Sequence, residues 1–469
     1  MNSSSSTGVA AHPVSSPSTR RRSTPRWHDE AVDDNVIDLR EARRERLARQ
    51  RETPHSSRRK VERDDVNSAS TPAVTEDVAA RDEAKIAKCP PCHWGLTLVT
   101  MLLALASIPM IYSASQAIAL DNHGSTDYFL IRQIVFVALG MGVMIGVSRM
   151  PTKWARGLAW VIYLFALSGL IATKFSPLGI TMGGVERWLK VGPLPPLQVS
   201  EIAKFALIGV LADFWSRASV TSQKAKWPWA AAFAIAGLPV LLVFMQPHLS
   251  ATLVLFALPI IIGFYAGAPI KQIGVLFGSL AVVAALVIGL CAVKKMPLLP
   301  MYQQVRIASF LSAETDVKGA HYQTEQGLRA IERGGLTGAG PGGSLFKQGH
   351  LPAPHTDFIL AVIGEETGLV GMVILLICYG AMIFFCFQIG HSATKPFEML
   401  LCAGVGSLLA LQVICNLGVV LNVMPVTGMP LPMMSYGGSG LLCTLLGIGW
   451  VLGVSRNGAR EENIPAVAA

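Results

Sequence analysis

The sequence predicts an all-α polytopic membrane protein. It has ten transmembrane helices, a large extracellular loop between helices seven and eight, and a disordered, charged cytoplasmic tail at the amino terminus. Three observations predict it. Of the 469 residues, 51% are hydrophobic and only 15% charged, with a mean hydropathy of +0.46; an average soluble domain carries about 25% charge. The charge is unevenly placed, with 32 Lys, Arg, Asp and Glu in residues 1–88 and 37 in the 381 residues that follow. Those 381 residues hold ten apolar runs, each near the roughly 20 residues a spanning helix needs. A soluble globular enzyme and a wholly disordered chain are both disfavoured. The net charge of +9 does not require nucleic acid as a partner, because basic loops on the cytoplasmic face are normal in membrane proteins.

Residues 1–92 form the tail. Ser, Thr, Pro, Arg and Asp dominate it, and its apolar residues are too sparse to build a core. Asp38 can cap a short helix over Leu39–Leu47, whose charges alternate at i,i+3 and i,i+4 spacing. That stretch reads either as a solvated linker or as a docking helix. Nothing apolar precedes residue 95, so no secretory signal peptide is expected. Cys89-Pro-Pro-Cys92 has CxxC spacing but no strand-helix context and no second pair, which makes it a weak redox or zinc motif. Cys291, Cys378, Cys386, Cys402, Cys415 and Cys443 lie in or beside apolar runs, where Cys acts as a small hydrophobe.

The membrane domain covers 93–456, with a short cytoplasmic tail over 457–469. Its runs fall at 95–115, 129–148, 157–173, 200–215, 229–245, 249–267, 273–293, 358–387, 399–421 and 433–454. Lys204 and Asp213 interrupt the fourth, and the eighth is long enough to begin as an extracellular helix. Ten crossings put both termini on one side. With the amino terminus inside, the inner loops and the C-terminal tail carry Arg149, Lys153, Arg156, Arg217, Lys224, Lys226, Lys271, Lys395, Arg456 and Arg460. The short outer loops carry Lys174, Arg187 and Lys190. This asymmetry places both termini in the cytoplasm.

Residues 294–357 form a long outer loop, and loops of that length are usually functional or disordered. Aromatic and aliphatic residues argue for order in it. A Gly-rich stretch, Gly334-Gly335-Leu336-Thr337-Gly338-Ala339-Gly340-Pro341-Gly342-Gly343-Ser344, permits tight turns and close backbone approach. As a phosphate-binding loop it matches weakly, lacking both GK[ST] and a strand-to-helix context.

Polar residues at membrane depth are costly, so they mark candidate sites. Four clusters gather on the outer side. In Gly183–Leu189, Arg187 beside Trp188 suits an anionic group or a plain interface anchor. Just beyond it, Glu201 and Lys204 share a helix face and can pair. In Gln246-Pro247-His248-Leu249-Ser250, the lone His reads as structural more readily than as catalytic. In Leu351–Phe358, Asp357 stands where a long loop re-enters the membrane. It can cap the eighth helix, or serve as a general base whose pKa is raised by desolvation. Around Asn416, Asn422, Pro425–Pro432 and Ser435–Ser439, Pro and Gly breaks suggest irregular backbone lining a cavity.

Several of these strings resemble a known family. Arg306-Ile307-Ala308-Ser309-Phe310-Leu311 with Asp316, Gly319, Tyr322, Gln323 and Gln326 resembles the SEDS proteins (shape, elongation, division and sporulation). So do Leu351-Pro352 with His355-Thr356-Asp357-Phe358-Ile359, Val362-Ile363-Gly364-Glu365-Glu366, and Pro430-Leu431-Pro432 with Ser435-Tyr436-Gly437-Gly438-Ser439. The motifs keep the family's order and cover about residues 95–455. Ile111–Ser115 and Met424–Gly428 look more like the division branch than the elongation branch. Three departures stand out. His248 and Ser250 replace an Asp and a Gly, Ala353 replaces a Glu, and Val199 replaces a Pro.

The resemblance implies a ten-span peptidoglycan glycosyltransferase in the bacterial cytoplasmic membrane. Such an enzyme polymerises lipid II at the outer face, for the division branch at the septum, beside a class B penicillin-binding protein and other divisome proteins. It implies Asp357 as the essential aspartate, in the role of general base. Arg187, Lys204, Glu201, Arg306, His355, Thr356 and Ser435 follow as substrate-binding residues. Arg187, Lys204, Arg306 or a divalent cation such as Mg²⁺ would balance the departing pyrophosphate. The alternatives are an elongation polymerase, a lipid II flippase built from broken helices, or a scaffold that recruits the penicillin-binding protein.

Overall fold

The computed structural model describes residues 93–462, apart from 183–184, 191, 193–194, 222–227, 247, 269–270, 273, 275–319, 350, 352 and 427. The tail with its Asp38–Leu47 stretch and Cys89/Cys92 pair lies outside the described residues. So do all but one residue of the seventh expected span, together with Arg306 and residues 463–469.

The other nine apolar runs all fall on helices. The first three are α1 (His93–His123), α2 (Tyr128–Ser148) and α3 (Thr152–Phe175). α1 outruns its expected 95–115 and stops at Gly124, whose positive φ of 66° lets its amide reach Leu120 O at 3.0 Å, a common helix ending. Then come α4 (Val199–Thr221), α5 (Pro228–Met245), α6 (Leu249–Tyr265) and α7 (Ala320–Gly334). Last are α8 (Ile359–Ser392), α9 (Pro396–Val420) and α10 (Gly438–Glu462). Seven of them, α1, α2, α3, α5, α8, α9 and α10, are long and apolar enough to cross a bilayer. α10 starts five residues later than the apolar run suggested, because Pro430 and Pro432 cannot donate to a helix ladder and Met433 takes a positive φ.

α4 sits at the centre, buried along nearly its whole length and packed on α3, α9, α6 and α10. Its charges explain how a helix with weak hydropathy occupies that place. Lys204 Nζ lies 2.8 Å from Glu201 Oε1, both buried. Near its far end, buried Asp213 takes Arg156 Nε at 3.1 Å, Arg217 Nη2 at 2.9 Å and Trp160 Nε1 at 3.0 Å. Charges inside a membrane bundle are tolerated when paired in this way. α2 packs most extensively on α10. Gly140 meets Leu445 and Gly438 meets Phe136 there, the small-residue contact that lets membrane helices approach.

The all-α expectation needs one correction. β1 (Gly179–Met182) and β2 (Val185–Leu189) form an antiparallel hairpin, with Ile180 opposite Trp188 and an irregularity between Ile180 and Thr181. Ile180, Thr181, Val185 and Trp188 favour strand, and a search for spanning helices passes over so short a segment.

Contacts sort the loops onto two ends of the bundle. The 123–128 connection, the hairpin strands, Gln246, His355 and Tyr436 share one end. The other end holds Arg156, Asp213 and Arg217, with Glu398 bonded to Thr152 at 2.6 Å and Thr152 to Asn457 at 3.0 Å.

Candidate active site

The site is built on a broken helix. Gly368, at φ 67° and ψ −168°, divides α8 into a short arm over 359–367 and a long arm over 369–392. A break leaves backbone groups without partners, which is costly in a bilayer. The Gly-rich loop supplies them. Ala339 N donates to Glu365 O at 2.9 Å and Gly340 N to Glu366 O at 3.0 Å. In return, Leu369 N donates to Gly335 O at 2.9 Å and Val370 N to Leu336 O at 3.2 Å. A Cβ on Gly338 (φ +83°) would overlap Glu366 O, and one on Gly368 would overlap Gly338 N. The glycines therefore serve close backbone approach, and the loop amides point at helix carbonyls and not at a phosphate.

Asp357 stands at the head of the short arm. Phe358, not Asp357, takes the N-cap position, with no side-chain cap hydrogen bond of its own. Asn416 Nδ2 donates to Asp357 O at 3.0 Å and to Met429 O at 2.9 Å. Gly428, at φ +70°, passes so near that its missing Cβ would lie 3.4 Å from Asp357 Oδ2. Phe358 is buried and packs on Gly327 of α7. The backbone around this partly exposed carboxylate is thus held from α7, α9 and the 421–437 segment.

Three other expected residues surround Asp357. Ser435 Oγ donates to Thr356 O at 2.7 Å and accepts from Leu431 N at 2.7 Å. Its hydroxyl thus ties the Leu431–Ser435 turn to the main chain just before Asp357. Tyr436 N donates to His355 O at 2.8 Å. The His355 ring lies 5.0 Å from Phe129 and 5.9 Å from Tyr436. Burial lowers its pKa to about 4, and the buried Nδ1 has no hydrogen-bond partner among the described residues. His355 is therefore neutral near pH 7.

His355 and Thr356 form part of the wall of a groove of about 970 Å³, at the upper end for a small-molecule site. Phe136, Leu139, Phe165 and Leu442 make its deep end apolar. Arg132 and Ser439 line it nearer the loops. Arg132 lies over the Tyr128 ring at 4.2 Å and hydrogen-bonds Tyr436. Burial pushes the Tyr436 hydroxyl up, and the guanidinium pulls it the other way. The α10 N-terminus opens on the same wall at Gly438, adding amides suited to an anion. Arg132 was not among the sequence candidates. Its signal was there, as an arginine inside an apolar run.

The remaining candidates sit further out or further in. Arg187, on β2, directs Nε to Gln246 O at 3.4 Å, while its neighbour Trp188 lines the groove. Glu201 and Lys204 lie behind the wall that Val199 and Ser439 form, with Gly440 against Glu201. Lys204 is 1% exposed, with its ammonium 2.8 Å from Glu201 Oε1. His248 is buried, with Nδ1 3.4 Å from Ser200 Oγ, a structural place. Among the described residues no three His, Cys, Asp or Glu side chains converge to hold a metal.

The fold is that of a multi-pass membrane protein. The chain belongs to the FtsW/RodA/SpoVE family, whose model, described as "Cell cycle protein", matches residues 93–460; this agrees with the SEDS motifs. It is 34% identical over 365 residues to the probable peptidoglycan glycosyltransferase FtsW of Thioalkalivibrio sulfidiphilus, covering 77% of this chain and 89% of that one. It is 31% identical over 361 residues to the stage V sporulation protein E of Bacillus subtilis, covering 77% and 96%. Among solved structures, a chain from a peptidoglycan synthase complex that coordinates polymerization and crosslinking superposes with a TM-score of 0.62. It has 28% identity over 78% of this chain and 98% of that one. The rod shape determining protein RodA of Thermus thermophilus gives 0.55, with 26% identity over 78% and 96%.

Proposed function

We propose that the protein is a peptidoglycan glycosyltransferase that polymerises lipid II at the outer face of the cytoplasmic membrane during septal wall synthesis. One observation carries this reading. Asp357 is held at the head of a half-helix, and the two residues before it line an apolar groove that ends in Arg132. A carboxylate beside an amphiphile-shaped groove suits a reaction between two lipid-linked sugars.

In this reaction the acceptor 4-hydroxyl attacks the anomeric carbon of the donor. A new glycosidic bond forms, the bond from that carbon to the pyrophosphate breaks, and undecaprenyl pyrophosphate leaves. Asp357 accepts the hydroxyl proton. Arg132 and the α10 N-terminus hold the departing pyrophosphate, and the deep apolar wall holds the first units of the lipid. Neutral His355 offers a hydrogen bond to a sugar.

Ten spans with both termini in the cytoplasm fit the charge asymmetry. Three features support a class B penicillin-binding protein as partner at the septum: the likeness to a chain of a synthase complex, the FtsW names of the relatives, and the division-type motifs.

The test is polymerisation of lipid II by purified protein in detergent, where no two sides exist and a flippase has nothing to do. Asp357→Asn should stay folded and lose about 10²–10⁴-fold in rate, the usual worth of a general base. Normal polymer from that variant would sink the assignment. Absence of polymer from the wild-type protein with its partner would favour a transporter or scaffold.

A further inference from the structure

Glu365 and Glu366 take no part in the mechanism above, yet both are buried within the short arm of α8. Glu365 accepts hydrogen bonds from Arg333 and Ser344 Oγ, and from Leu345 N at 2.8 Å. Glu366 Oε1 accepts from Lys347 Nζ at 2.8 Å and from Ser113 Oγ at 2.5 Å. Lys347 Nζ also donates to Ser113 Oγ at 2.7 Å and to Gly342 O at 2.9 Å. All three ammonium protons therefore have acceptors, and the group is buried.

These knots tie three segments together. Lys347 belongs to the loop after α7, Glu366 to the short arm and Ser113 to α1. The break at Gly368 makes the ties consequential. A continuous helix would transmit the place of the long arm to Asp357 through its hydrogen-bond ladder. Here the ladder is interrupted, so the short arm takes its place from what grips it sideways. Those grips are α7 through Gly327 and Gly334, the backbone splice, and the two carboxylates.

We infer that Lys347 and Glu366, together with Ser113, are positioning residues that set the short arm, and with it Asp357, against the groove. The inference rests on the reading of Asp357 as general base. Glu366 lies nine residues beyond Asp357, about 13 Å along a helix, so it acts through the arm and does not touch substrate.

The test uses the full-length chain with its penicillin-binding partner in lipid nanodiscs, with lipid II concentration varied. Lys347→Met leaves Glu366 as a buried carboxylate without its cation, which costs far more than removing both charges. Its kcat should fall by on the order of tenfold to a hundredfold, as expected for a catalytic group misplaced by about 1 Å. KM should stay within about twofold, since the groove is untouched. Lys347→Met with Glu366→Gln restores a neutral hydrogen-bonded pair with Ser113 and should recover most of the turnover. Ser113→Ala, which removes no charge, should give a smaller kcat loss with the same KM, and it carries the test if Lys347→Met fails to fold. Wild-type turnover in Lys347→Met overturns the inference. A loss confined to KM, or one that Glu366→Gln does not relieve, also overturns it. Asp357→Asn run beside them separates the two readings. Activity retained there removes the general base, whereas the positioning role stands or falls on the Lys347 and Ser113 variants.

Discussion

At the scale of single residues, the site divides into groups that face the groove and groups that hold it. Arg132 is of the first kind. A charge-assisted hydrogen bond is worth about 1.5–3 kcal/mol, so Arg132→Ala should raise KM for lipid II about 10- to 100-fold, measured by initial rates in detergent. Arg132→Lys should recover only part, because an ammonium lacks the planar fork that grips two phosphate oxygens. An unchanged KM in Arg132→Ala would remove the pyrophosphate from this wall. His355 gives a different signature. Its folded pKa of about 4 lies below the ordinary value near 6.5, so between those values the unfolded chain binds more protons. The contribution of His355 to stability is then level above about pH 6.5 and declines as pH falls toward 4. The difference in thermal midpoint between wild type and His355→Asn should change across that window and be flat above it; a flat difference throughout would mean the ring is not buried in solution. Lys204 and Ser435 show how far residue type carries an inference. Both were legible as polar groups near the outer surface, and the i,i+3 spacing already paired Lys204 with Glu201, but only packing shows that the pair is buried and that the Thr356 and Leu431 main chain engage Ser435.

At the scale of elements, the unusual feature is the break in α8 and the loop that fills it. The apolar run through 358–387 reads as one helix, and nothing in its periodicity reveals two arms. Gly368 becomes informative only beside Gly338, 30 positions earlier, because each leaves room for the other's backbone. The Gly-rich stretch was legible as a place of close approach, but its partner was not, since a sequence does not say which backbone arrives. Gly338→Ala places a Cβ against Glu366 O at a φ that L residues avoid. Strain of about 1–2 kcal/mol and overpacking of about 1–3 kcal/mol should add to a loss of roughly 2–5 kcal/mol. Most of it should appear as local opening. Hydrogen exchange should speed up over 335–342 and 359–370 and stay slow in α9 and α10. Wild-type protection over the short arm would show that the splice does not hold it. The hairpin escaped the sequence reading for a related reason. Four and five residues of strand inside a 23-residue connection leave no trace at the window length that finds spanning helices.

At the scale of the whole molecule, composition and charge carry the furthest. Nine of the ten expected runs coincide with helices, because a segment crossing a bilayer must satisfy its backbone internally and stay apolar for its whole length, and both demands are written locally. α4 tests the rule from the other side. Its four charged residues weaken its hydropathy, and its burial against α3, α6, α9 and α10 explains why they are tolerated. The same contacts that gather His355, Asp357 and Tyr436 at one end gather Arg156, Arg217 and Lys395 at the other. The basic end is the one that the positive-inside rule assigns to the cytoplasm, and the proposed function requires the site to face the other way. Two exposed positions report on this directly. Leu345 lies in the Gly-rich loop beside the splice, and Thr394 in the turn between α8 and α9. In a cysteine-free background, Leu345→Cys should react with a membrane-impermeant maleimide in intact cells stripped of their outer barriers. Thr394→Cys should react only after the membrane is opened. The reverse pattern would put Asp357 on the cytoplasmic side, where an extracellular polymerase could not work, and labelling of both positions from outside would break the assignment of α8 as a single crossing.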